Sequence, residues 1–214
     1  MIYNKNPMGI EIKSFEIIEE IISENGWSFA TEDTVEKAIF KRVIHTSADF
    51  DYLQNLKIKP GFIDKFQKAC TREVTIYTDT NMVLSGINKA SFSKCPWQIK
   101  CFVSDSRSIE LAESLQITRS MAAIRLAIEE PGEKIFVFGN APTAIFQLLE
   151  SKEQLGDNLI GVVGVPVGFV GAVESKQALY ESEISCITAL GRKGGSNIAA
   201  AIINALLYET VGRS

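Results

Sequence analysis

From Glu73 onward the chain alternates short apolar runs with stretches of helical periodicity, and this alternation restricts its fold more than any other feature. The runs are Val74–Tyr77, Ile99–Val103, Ile135–Phe138, Ile160–Val163 and Ile184–Ile187. A strand that is apolar on both sides must be covered on both sides, as in a parallel sheet flanked by helices. Repeated strand–helix units then imply right-handed crossovers. The pattern predicts an α/β fold with a five-stranded, mainly parallel sheet flanked by helices. The first third reads as a helical N-terminal part. Ile10, Phe15, Ile17, Ile18, Ile21 and Ile22 recur at helical spacing before Gly26. A second helix starts near Asp33 and runs toward His45, and a third follows Pro60-Gly61 with Phe62, Ile63, Phe66 and Ala69 inward. With no linker or low-complexity tract, residues 1–214 are expected to form a single domain.

Composition narrows the function. A net charge of −4 gives no general attraction for nucleic acid or an anionic membrane, so neither is expected as a partner. Cys70, Cys95, Cys101 and Cys186 form no C-x-x-C pair, and one histidine cannot complete a zinc set, so no metal site is expected. Unpaired cysteines and the lack of an apolar signal core in Met1–Pro7 point to the cytoplasm. The uncharged stretch Leu159–Val173 is too short and glycine-rich for a spanning helix.

In open α/β sheets ligands bind beyond the carboxyl ends of the strands. Here those ends carry Asp79, Ser104-Asp105, Gly139-Asn140-Ala141-Pro142, Gly164-Val165-Pro166-Val167-Gly168-Phe169 and Gly191-Arg192-Lys193-Gly194-Gly195-Ser196. Each string alone is ordinary turn chemistry, but five on one edge suggest a ligand cleft. Gly194, Gly195 and Ser196 precede a long helix, whose N-terminus favours an anion, and Arg192 and Lys193 add charge. Neither a Walker A motif nor G-x-G-x-x-G is present, which argues against a nucleotide. Arg119, in the first turn of a helix capped by Thr118, is badly placed for the helix dipole. It is either solvated or meets an external anion.

His45 is the chain's one histidine. Lone histidines are common as surface or capping residues, but any imidazole proton chemistry here falls to this one. Arg42 is three residues away on a probable helix and shares its face. The guanidinium would push the histidine pKa down and a helix C-terminus would push it up, and the sequence leaves that balance open.

Several strings taken together resemble precorrin-8X methylmutase. They are Asn6-Pro7, Ile10-Glu11, Ser14-Phe15, the run Arg42 to Asp51, Thr118-Arg119-Ser120, Gly139 to Ala144, Gly164 to Lys176 and Gly191 to Ser196. The resemblance implies an isomerase of corrin biosynthesis that shifts a methyl group from carbon 11 to carbon 12 of (cobalt-)precorrin-8. The product is cobyrinic acid or its cobalt-free counterpart. It also implies a corrinoid substrate rich in carboxylates, a homodimer with the site near the interface, and no cofactor, any cobalt arriving in the substrate. By the same resemblance His45 is catalytic, and Ser14 and Arg42 bind substrate, with Arg119 a further candidate. Asp79, Asn140, Arg192, Gly194, Gly195 and Ser196 complete the expected binding set from the loop pattern. The alternative is a non-catalytic corrinoid binder or carrier with the same fold.

Overall fold

The computed structural model describes residues 6–213. An N-terminal helical part comprises α1 (Pro7–Glu24), α2 (Thr34–Ser47) and α3 (Tyr52–Asn55). Next come β1 (Leu56–Ile58), α4 (Phe62–Ala69), β2 (Val74–Thr78), α5 (Asn81–Gly86), α6 (Lys89–Phe92) and β3 (Trp97–Lys100). The chain continues through α7 (Ser106–Leu115), α8 (Arg119–Glu129), β4 (Glu133–Phe138), α9 (Pro142–Glu150), α10 (Lys152–Leu155) and β5 (Leu159–Gly164). It ends with α11 (Ala172–Glu181), β6 (Cys186–Ala189) and α12 (Ser196–Val211).

The sheet order is β1-β6-β5-β4-β2-β3. All neighbours are parallel except β1, which pairs antiparallel with β6. Strand side chains alternate between faces. Ile76, Ile135, Val137, Val163 and Ile187 therefore enter one apolar layer with α2, α4 and α12. Tyr77, Phe136, Phe138, Val162 and Cys186 enter the other with residues of α8, α9 and α11. Both faces are covered, as the runs of apolar residues require.

The sheet has six strands where the apolar runs predicted five. The added strand, β1, is three residues long with Lys57 at its centre and only Leu56 fully buried, so it carries neither periodicity nor length as a signal. Two strands are also displaced. The run Ile99–Val103 becomes Trp97–Lys100, and Ile184–Ile187 becomes Cys186–Ala189, because pairing with β2 and β5 sets the register rather than local hydrophobicity. The expected helix starts hold. Asp33 accepts the N–H groups of Val35 and Glu36, and Thr118 accepts that of Met121. Leu159–Val173 is strand β5, the loop after it and the first two residues of α11, and no helix among the described residues is long and apolar enough to cross a membrane. The expectation that Met1–Pro7 is no leader rests largely on residues 1–5, outside those described.

Strand order reverses between β2 and β4, which opens a crevice at their carboxyl ends. Asp79 fills its floor. The residue is 1% exposed. Its carboxylate accepts the backbone N–H groups of Gly139 (3.0 Å), Asn140 (2.7 Å) and Ala141 (2.7 Å). Burial pushes its carboxyl pKa up, and the three donors pull it back. The neighbouring loops are equally tight. The N–H of Gly195 donates to the Val165 carbonyl at 2.8 Å, and that of Gly168 to the Arg192 carbonyl at 3.1 Å. At Gly194 a Cβ would lie 2.1 Å from the Val165 carbonyl oxygen, so only glycine fits.

Two outcomes follow. Asp79→Ala strands three N–H donors, and at roughly 1–3 kcal/mol for each unsatisfied buried group it should cost about 3–9 kcal/mol in urea unfolding. A loss under about 1 kcal/mol would show that water replaces the carboxylate. Gly194→Ala must drive the two loops apart, and a thermal melt should show an overpacking loss of about 1–3 kcal/mol.

Candidate active site

Two helices meet through a pair of polar rungs. Glu11 and Ser14 lie three residues apart on α1, and Arg42 and His45 lie three apart on α2, so each pair shares a helix face. In the first rung Arg42 Nη1 and Nη2 donate to the two Glu11 carboxylate oxygens, both at 2.8 Å. In the second, Ser14 Oγ lies 2.7 Å from His45 Nδ1. Aromatic groups clamp the first rung. The Arg42 guanidinium carbon is 5.0 Å from the centroid of Phe15 and 5.0 Å from that of Tyr208 on α12. Arg213 also ion-pairs with Glu11 and stacks on Tyr208. Phe15 meets the histidine ring edge-on at 5.6 Å.

Beside the histidine is a cavity of about 460 Å³. Its walls include Ile10, Ile17 and Ile21 of α1, Ile44, and Phe50 beyond α2. The apolar stripe of α1 is therefore divided. Ile18 and Ile22 enter the core, while Ile10 and Ile17 remain 48% and 42% exposed at the cavity. Lys13, Ser14 and His45 supply the polar atoms of the wall. His45 Nε2 makes no hydrogen bond among the described residues.

The charge balance at His45, open in the sequence, resolves downward. Burial lowers its pKa first, Arg42 and Arg213 lower it further, and Glu11 raises it. The histidine sits in the last turn of its helix, where the dipole favours a positive charge. Glu11 is held at about 2, chiefly by its hydrogen bonds from Arg42. A group that releases its proton readily and has one free ring nitrogen can pass a proton to a ligand in the cavity. Ser14 can accept from Nδ1–H or donate to a bare Nδ1, so the ring keeps its orientation in either state.

The other expected site residues lie along the carboxyl edge of the sheet. Asp79 is buried beneath its loop with both oxygens engaged. Asn140 gives its N–H to Asp79 and exposes its side chain. Ser196 is nearly buried, its Oγ 3.0 Å from Thr80 Oγ1. Gly194 and Gly195 form the loop wall. Arg192 is exposed and stacks on Phe169 at 5.7 Å. Arg119 is exposed, without an ion pair among the described residues. The structure thus brings Ser14, Arg42 and His45 together, and groups Asp79, Asn140 and Ser196 separately at the crevice. One residue ties the groups: Lys193 reaches from the last loop to Asp49 and Asp51, both at 2.6 Å, just past the histidine's helix. Beneath it the buried Lys176 donates to the Lys193 carbonyl at 2.7 Å, and burial pushes its pKa down to about 8.

Sequence reasoning passed over Glu11, Tyr208 and Arg213. For Glu11 a signal existed, since its spacing to Ser14 repeats that of Arg42 to His45. Tyr208 and Arg213 join only through tertiary packing. Among the described residues no three His, Cys, Asp or Glu side chains are grouped to hold a metal ion.

Comparison with known proteins agrees with this architecture. The family model described as precorrin-8X methylmutase matches residues 9–209. A cobalt-precorrin-8 methylmutase of Salmonella typhimurium is 50% identical, covering 98% of each chain. A precorrin-8X methylmutase of Sinorhizobium is 32% identical over 95% of each. The crystal structure of precorrin-8X methylmutase from Thermus thermophilus superposes with a TM-score of 0.81 at 28% identity, covering 94% of this chain and 96% of that one. The chain belongs to the precorrin-8X methylmutase family, isomerases of cobalamin biosynthesis.

Proposed function

We propose that this isomerase moves a methyl group from carbon 11 to carbon 12 of cobalt-precorrin-8, giving cobyrinic acid, with His45 as the proton donor and acceptor. The observation that carries the reading is the Ser14–His45 pair on the wall of an apolar cavity. A concerted shift within one molecule needs no nucleophile from the protein. It needs the macrocycle held and its electron distribution biased. The isoleucine-rich wall can cover a flat ring, and a proton delivered from Nε2 supplies the bias. The cobalt form is favoured by the name of the Salmonella relative.

Ring carboxylates need cations and N–H donors around them. Lys13 at the cavity, and Arg119 and Arg192 at the carboxyl edge, are exposed and suit that role. Asn140 and the Gly194-Gly195-Ser196 turn would add polar groups. Arg42 gives both terminal nitrogens to Glu11 and Asp79 engages both oxygens within the protein, so in this reading Arg42 acts on substrate through its charge or by exchanging Glu11 for a substrate carboxylate, and Asp79 shapes the loop. Ile10 and Ile17 of α1 line the cavity, and Met8 and Ile12 on the same helix are exposed as well, an apolar surface that a second copy of the chain would cover. A homodimer with the site at its interface follows, and sedimentation showing a fully active monomer would refute that part.

The test is incubation with cobalt-precorrin-8 and with precorrin-8X, followed by absorption, since a methyl shift changes the conjugated system. His45→Ala should retain the fold and bind ligand but lose about 10²–10⁴ in turnover, the scale of general-acid loss. Turnover near that of the unaltered protein would end the proposed role. Binding should weaken as salt rises, because exposed cations provide the attraction. A salt-independent Kd would assign binding to the apolar wall instead.

A further inference from the structure

We propose that Glu11 is a positioning residue of this site: it locks α1 to α2 through Arg42 so that Ser14 stays on His45 Nδ1, and its negative charge balances the two guanidinium groups the histidine faces. The inference rests on the reading that His45 is the proton carrier. Its geometric ground is independent of that reading. Glu11 binds Arg42 with both oxygens at 2.8 Å, and the two side chains are 16% and 13% exposed. A bidentate pair this sheltered fixes orientation as well as distance. Because Ser14 lies one turn beyond Glu11 and His45 one turn beyond Arg42, fixing the first rung fixes the second. Arg42 cannot slide, since Phe15 and Tyr208 hold its flat faces.

The charges around the ring are these. Helix α1 brings Glu11 and Lys13, and α2 brings Lys41 and Arg42, with Asp49 just beyond its end. The C-terminal segment brings Arg213, and α12 brings the neutral Tyr208. Lys13 is paired with Glu16, Lys41 with Glu19, and Asp49 with Lys193. That leaves one carboxylate, Glu11, shared between two guanidinium groups. Without it both would act unopposed on the imidazole and lower its hold on a proton further. With it, the site stays cationic enough to attract an anionic ring while one negative charge offsets the guanidinium groups beside the histidine. Glu11 is not one of the residues lining the cavity, and its carboxylate is held by Arg42 and Arg213, so it acts through Arg42 and Ser14 rather than on substrate.

The chain's single histidine makes the test direct. The titration of the labelled imidazole is followed by NMR without substrate in the unaltered protein, in Glu11→Gln and in Arg213→Ala. Gln keeps the shape and one hydrogen bond but not the charge, so its midpoint should fall below that of the unaltered protein. Removing Arg213 takes away a cation and should raise it. With substrate, Glu11→Gln should lose kcat by roughly tenfold to a hundredfold, the scale of a small misplacement, with KM little changed. Superimposable titration curves for Glu11→Gln and the unaltered protein would overturn the proposal. If Glu11→Gln does not fold, an unmoved midpoint in Arg213→Ala does the same. The titration needs no turnover, so it stands or falls separately from His45 catalysis, which His45→Ala decides.

Discussion

Helix α12 has apolar residues on every side. Ile198, Ala199, Ile202, Ile203, Leu206 and Leu207 are all buried, and so are the alanines between them. A helix of that kind cannot lie on the surface. One side packs on β4 and β5, and the opposite side needs a second cover, which α2 provides with α1 upon it. This requirement builds the third layer, and the third layer carries Glu11, Ser14, Arg42 and His45. The polar rungs are therefore placed by a hydrophobic demand. Tyr208, near the far end of α12, then serves both, since its ring clamps the Arg42 guanidinium.

The two polar regions of the molecule are built on different principles. At the carboxyl edge the polarity is largely internal. Asp79 satisfies three N–H groups, Thr80 meets Ser196, and Lys176 supports the Lys193 carbonyl. Such satisfied networks hold loops rigid. Between α1 and α2 the opposite holds, because His45 keeps one ring nitrogen unengaged among the described residues, with an apolar cavity beside it. Lys193 joins the rigid edge to the reactive layer through Asp49 and Asp51, so that the loop set and the histidine form one unit. A rigid frame carrying a few unengaged groups is the arrangement that precise catalysis requires.

Electrostatics show the same division. Glu11 is held at about 2 by Arg42, while the histidine is shifted down by burial and by the guanidinium groups around it. The site is cationic within a chain of net charge −4. Local placement rather than overall composition decides what an acidic protein can attract.

Much of this was legible from residues alone. The apolar runs dictated a parallel sheet, because strands without a polar side admit no other environment. The caps Asp33 and Thr118 marked helix starts through their side-chain oxygens. Long strings such as Gly164 to Lys176 disclosed the family, and the i, i+3 spacing of Arg42 and His45 placed them on one face. Other features lay beyond the sequence. Strand β1 exists only because β6 offers an edge to pair with. The downward shift of His45 comes first from its burial and then from Arg42, and Arg213, more than 160 residues away along the chain, adds to it. Whether Arg42 and Asp79 are free or engaged is decided by partners 31 and about 60 residues distant. Local pattern determines which elements form and which faces are apolar. The partner of each polar group depends on which distant segments packing brings within about 3 Å, and that is settled only by the tertiary structure.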